Sequence, residues 1–144
     1  MSNATRLSSA PAGTAALYKL AADHGHTVDC FPLNRPALSI EDAGKCYIAV
    51  RPDLRGSQER EALAHELGHC EFGGFYSLSS PHDIRERHER RADKWAFLKL
   101  LPPAWVRGCI NRGVCAVYRI AEEADVSCEF AGRALAYYHA IGII

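Results

Sequence analysis

The stretch Ala64-His65-Glu66-Leu67-Gly68-His69-Cys70 constrains this chain more than any other. Two histidines four residues apart share one face only on a helix, which turns once every ~3.6 residues. Both imidazoles can then hold one cation, with Glu66 beside them to take a proton from water. Two imidazoles are not enough, because a catalytic zinc takes three protein ligands and keeps one position open. The fold must therefore return a third donor to this helix. In a chain with 7 histidines, a chance match to this pattern is roughly a 2% event. The competing reading is the polar face of an exposed helix.

A third histidine six residues on is excluded. That extension needs Gly at 72 and His at 75, and both positions are Phe. The charged segment Arg85–Lys94, "RERHERRADK", offers Glu89 instead, twenty positions after His69. Asp93 follows four residues later on the same helical face. If Glu89 completes the site, Asp93 can accept the free ring N–H of a ligand histidine and fix its tautomer. Read alone, the segment is a solvated, salt-bridged helix face. The need for a third ligand reverses that preference. Among the rivals, Glu71 is only two past His69 and points to a different side. His82 at the loop end stays open as a ligand. His88 sits roughly 100° round the helix from Glu89.

The pattern around these helices is mixed. Thr14 to Asp23 reads as a helix with Leu17 and Leu20 inward, ended by Gly25. "HTVDCF" reads as a strand. "ALSIED" and "KCYIAV" form a hairpin around Asp42-Ala43-Gly44-Lys45, and Pro52 stops the second strand. The Cys46 to Val50 strand is expected at a sheet edge beside the site, where an extended peptide could add to it. The His65 helix starts near Ser57 as N-cap and stops at Gly73-Gly74. The next helix opens on Ser80-Pro81 and puts Ile84, Ala92, Trp95, Phe97 and Leu98 on its apolar side before Pro102-Pro103 ends it. Shorter helices are expected near 103–111, 115–124 and 128–139, the last capped by Ser127. Strands early and helices late give an α+β class.

With 17 basic and 17 acidic residues, the formal net charge is zero. This gives no bias toward nucleic acid or an anionic membrane. No apolar run approaches the ~18 residues of a membrane span, and no secretory leader is read at the start. The expected location is therefore cytoplasmic. The six cysteines contain no Cys-x-x-Cys pair, so reduced, mostly buried thiols are expected. A redox switch at Cys70, next to the second histidine, is the less favoured reading.

Several of these pieces, in this order, resemble the ImmA/IrrE-type zinc metallopeptidases of bacteria and their mobile elements, including prophages. They are "LYKLAADHGHTV", "GKCYIAV", "EREALAHELGHC", "GGFYSL", "ERRADKWAFLKLLPP" and "RIAEEADVSCEFAGRAL". The likeness covers roughly residues 14 to 143. It implies one Zn²⁺ held by His65, His69 and Glu89, with Glu66 catalytic. Trp95-Ala96 stands where the family often has Phe-Ala, a departure that touches packing only. The implied fold is a small N-terminal antiparallel sheet of about three strands on a zincin-like pair of active-site helices, followed by a C-terminal helical subdomain. The expected organisation is a disordered tail over 1–13 and a single domain over 14–144, with a catalytic core to 101 and helices over 102–144. The implied partner is a protein substrate, a helix-turn-helix repressor, in a gluzincin-like endopeptidase with a role in transcription regulation.

Tyr76, one glycine turn beyond the active helix, is a candidate oxyanion donor beside the metal; a core tyrosine with a wet hydroxyl is the equal alternative. Two other functions compete with the enzyme. A zinc-containing module could bind a repressor without cleaving it, although a purely structural site needs no base such as Glu66. The cadence of "IAEEADVSCEFAGRALAYY" is that of a DNA-binding helix-turn-helix. Its second helix opens Cys128-Glu129-Phe130, however, and Glu129 would repel phosphate.

Overall fold

A computed structural model describes residues 10–72 and 79–144. Among these residues the elements run α1 (Thr14–Asp23), β1 (Thr27–Cys30), β2 (Ala37–Asp42), β3 (Lys45–Val50), α2 (Gly56–Phe72), α3 (His82–Leu100), α4 (Pro103–Asn111), α5 (Val117–Ala124) and α6 (Cys128–Ala140). The class is α+β. The chain divides into two compact units, one of them Gly13–Ala96 and the other taking in the chain from Phe97 to Ile144, so the boundary falls within α3.

In the first unit β2 and β3 form the expected hairpin, with Asp42 paired to Lys45. Ala43 (φ 51°) and Gly44 (φ 79°) make the turn. Two consecutive positive φ angles match the right-handed twist of the flanking strands, a geometry glycine adopts freely and alanine only under constraint. The sheet is not purely antiparallel. Its order is β1-β3-β2, and β1 runs parallel to β3. The crossover from β1 to β2 carries the chain past β3, so β3 is central and β2 takes the edge expected of β3.

Cys46, Ile48 and Val50 of β3 are buried on one sheet face, whereas Leu38, Ile40 and Tyr47 are exposed on the other. The α2 helix packs on the buried face and also against α1. Leu63, Ala64 and Leu67 are fully enclosed there. The Tyr18 hydroxyl of α1 donates to Glu59 Oε2 at 2.7 Å and ties the two helices together. Cys46 and Cys70 form a disulfide with Cα atoms 5.7 Å apart, joining β3 to the end of α2. This corrects the expectation of reduced thiols throughout. Of the free cysteines, Cys109 alone is buried, while Cys30, Cys115 and Cys128 are exposed. Ala92, Trp95 and Ala96 of α3 are buried as expected, but Ile84 is exposed near the start of the helix.

The second unit closes on Leu100, Leu101, Val106, Ile120, Phe130 and Tyr138. The Phe97 and Phe130 rings meet edge to face at 5.3 Å. Tyr138 donates its hydroxyl to the Leu101 carbonyl at 2.8 Å, satisfying the polar tip of a fully buried ring. Ser127 caps α6 by accepting from the Phe130 N–H, and Leu98 is exposed.

Candidate functional site

The site is assembled where α2 and α3 approach each other. Gly68 permits that approach. A Cβ at this position would lie 2.8 Å from both Cα and O of Ala92, closer than real side-chain carbons come to backbone. Glu89 and Asp93 flank Ala92 within one turn of α3, so the contact presents both carboxylates to the histidines of α2.

His65 and His69 lie on one face of α2 with ring centroids 4.9 Å apart and planes at 80°. Glu89 spans them, with Oε2 at 2.8 Å from His65 Nε2 and Oε1 at 3.1 Å from His69 Nε2. One donor atom from each of these three residues lies within 4.8 Å of the others. His65 Nδ1 meets Asp93 Oδ1 at 2.9 Å. That contact places a proton on Nδ1 and turns Nε2 into the space shared with His69 and Glu89.

Burial disfavours the His65 cation, but the hydrogen bonds to Asp93 and Glu89, with the charge of Glu66 behind them, raise its pKa to about 10. The metal-free site therefore holds a protonated imidazole between two carboxylates. That positive charge sits where a bound cation's charge would sit. Two imidazole nitrogens and a carboxylate are a zinc donor set, and ligands on a tetrahedral ion with bonds of ~2.0–2.1 Å stand about 3.3 Å apart. The two separations to Glu89 need open by only a few tenths of an ångström, and the donor atoms of all three residues converge within 4.8 Å, so these residues fit the ion.

Glu66 is buried beside the histidines. The Ser39 hydroxyl donates to its Oε1 at 2.6 Å. Ser39 faces α2 from the edge strand β2, where it pairs with Ile48 of β3. Nothing in the sequence alone singles out this serine. Only the strand register and its period of two bring it to the helix.

The rival donors go elsewhere. Glu71 pairs with His24. His82 is exposed, 3.9 Å from Glu86. Neither His82 nor His88 joins a group of converging donors among the described residues. Tyr76 lies outside the described residues.

A family model described as the IrrE N-terminal-like domain, Peptidase_M78, matches residues 21–136. The chain belongs to this family. The match spans both compact units and takes in α2, α3 and the strands that carry Ser39 and Cys46. Membership in the M78 family makes this a metallopeptidase-type protein. No curated protein matches the chain. No helix among the described residues is long and apolar enough to cross a membrane.

Proposed function

We propose that this chain is a zinc-dependent endopeptidase that cleaves a protein partner, a helix-turn-helix transcriptional repressor. The observation that carries the enzymatic reading is the convergence of His65, His69 and Glu89 within 4.8 Å, one residue from a buried carboxylate that is itself held in place. A structural cation has no use for a base beside its ligands. Glu66 and its Ser39 anchor have a use when a proton must move.

His65 and His69 would hold the ion through Nε2 and Glu89 through its carboxylate, with Asp93 orienting the His65 ring. Bound there, zinc supplies a Lewis acid for a scissile carbonyl and brings the pKa of a coordinated water down toward 7. Glu66 is the general base. Its Oε1 is engaged by Ser39, so Oε2 takes the proton from the attacking water and returns it to the leaving amine. The substrate main chain has a place to lie along the outer edge of β2, whose pairing among the described residues is to β3 alone. An extended peptide can add there as a further strand, with the exposed Leu38 and Ile40 flanking it.

The repressor as substrate rests on the family resemblance; the zero formal net charge gives no overall bias toward nucleic acid as the target instead. The deciding experiment is Glu66→Gln assayed with a helix-turn-helix repressor that the wild-type protein inactivates. Zinc content should stay at the wild-type level while cleavage falls by about 10²–10⁴-fold. If the repressor is still inactivated at the wild-type rate by the Gln variant, the protein works by binding and the enzymatic reading is lost.

A further inference from the structure

A second group of potential metal-binding side chains, His26, Cys46 and Cys70, shares no residue with the His65–His69–Glu89 group. His26 stands just before β1, one step ahead of the Thr27–Tyr47 pair of the parallel ladder, which makes it the neighbour of Cys46 at the start of β3. Cys70 reaches the same point from the end of α2. One donor atom each from His26, Cys46 and Cys70 lies within 4.8 Å of the other two. The His26 side chain is only 12% exposed. Its Nε2 is buried and has no hydrogen-bond partner among the described residues. A buried ring nitrogen left in that state is unfavourable, so a partner for it is expected. Glu71 Oε2 is 3.6 Å from this nitrogen. That is too long for a hydrogen bond but close to the spacing of two ligands on one ion. The other oxygen of Glu71 is engaged by His24 Nδ1.

The geometry points to a second metal site, built from His26 and the thiolates of Cys46 and Cys70, that binds a soft divalent cation of the zinc type when the Cys46–Cys70 disulfide is reduced. Two thiolates and an imidazole select such an ion over calcium or magnesium. Tetrahedral Zn–S bonds of ~2.3 Å require the sulfurs to stand about 3.8 Å apart, a separation reached by side-chain rotation once the S–S bond is broken. Glu71, with Oε2 3.6 Å from His26 Nε2, is a carboxylate on hand for a fourth position, and a site closed in that way would be structural rather than catalytic. The disulfide and the ion use the same sulfurs and exclude each other. An external dithiol delivers two electrons and two protons to the disulfide, giving two thiols and the oxidised dithiol. The cation then displaces the thiol protons to solvent. Because Cys70 adjoins His69, either state pins the end of the active helix to the sheet.

The test is cobalt titration of the full-length, metal-stripped protein. The His65–His69–Glu89 group contains no sulfur, so a near-ultraviolet thiolate-to-cobalt charge-transfer band reports the second site alone. Reduced wild type should bind two equivalents and develop the band; oxidised wild type should bind one and develop none. Reduced Cys70→Ser and His26→Ala should each bind one equivalent with the band lost or strongly weakened. A Cys30→Ser, Cys115→Ser, Cys128→Ser triple variant should keep it at full strength. The oxidised and reduced comparison uses an unchanged sequence, so it decides the matter even if a variant fails to fold. A reduced wild-type protein that binds one equivalent without the band overturns the site, as does a band that survives Cys70→Ser or disappears in the triple variant. His65→Ala should abolish peptidase activity and leave the band intact, which keeps this site's fate separate from that of the proposed enzyme.

Discussion

Replacing Gly68 by alanine adds one carbon at the point where the two site helices touch. That carbon would stand 2.8 Å from the Cα and carbonyl oxygen of Ala92, about 0.6 Å inside ordinary van der Waals contact. Both opposing atoms are backbone, so no side chain can rotate away and α3 must move as a body. Overpacking of this kind costs about 1–3 kcal/mol, and the better helix propensity of alanine returns about 1 kcal/mol of it. The net loss of about 1 kcal/mol should lower the melting temperature of the metal-free protein by about 2–5 °C. The larger effect should be on the metal. Glu89 travels with Ala92, and a displacement of about 0.6 Å exceeds the ~0.2 Å tolerance of a metal–ligand distance. Zinc affinity, read by competition with a chromophoric chelator, should fall by about ten- to a hundredfold. A folded Gly68→Ala protein whose zinc affinity stays within a factor of two of wild type would refute the claim that this contact sets the position of Glu89.

Asp93→Ala should weaken zinc about ten- to a hundredfold by freeing the His65 ring, while circular dichroism stays unchanged. Ser39→Ala should lower kcat while leaving zinc affinity within a factor of two, since its hydroxyl donates to Glu66 and not to a metal ligand; a fall in metal content would move Ser39 out of that role. Because the pKa of His65 is raised to about 10 in the folded, metal-free protein from an unfolded value near 6.5, its contribution to stability is complete below about pH 6.5 and disappears as pH rises through 10. Thermal melts of the metal-free protein across that range should show the loss, and apparent zinc affinity should rise about tenfold per pH unit below 10 as the competing proton leaves. Tyr138→Phe should destabilise the protein by about 1–3 kcal/mol in urea unfolding, because the buried Leu101 carbonyl loses its donor.

The parts of the site legible in the sequence are those that depend on a helix's own period. His65 and His69 are four apart, as are Glu89 and Asp93, and helical geometry alone gives each pair one face. The hairpin was equally legible, because its turn residues adjoin its strands. The parts that escaped depend on which distant segments pair. Parallel pairing of β1 with β3 leaves no local mark, so the sequence points to β3 as an edge and gives no sign that β2 is one. Ser39 meets Glu66, and Cys46 meets Cys70, only after that register is set. The exposure of Ile84 has a similar origin: an apolar residue on the correct helical stripe still needs a neighbour to cover it, and helical period does not supply one.

Glu89 sits 2.8 Å and 3.1 Å from two imidazoles that belong to a different helix, so an ion shared by all three would act as a removable cross-link inside the chain. Such a link adds to folding stability in proportion to the logarithm of metal concentration, about 2.7 kcal/mol at a hundredfold excess over its dissociation constant. Scarcity of zinc would then do more than silence the protein. It would loosen the joint between α2 and α3 and expose the chain to proteolysis, making the amount of this protein in a cell a record of how much metal was at hand.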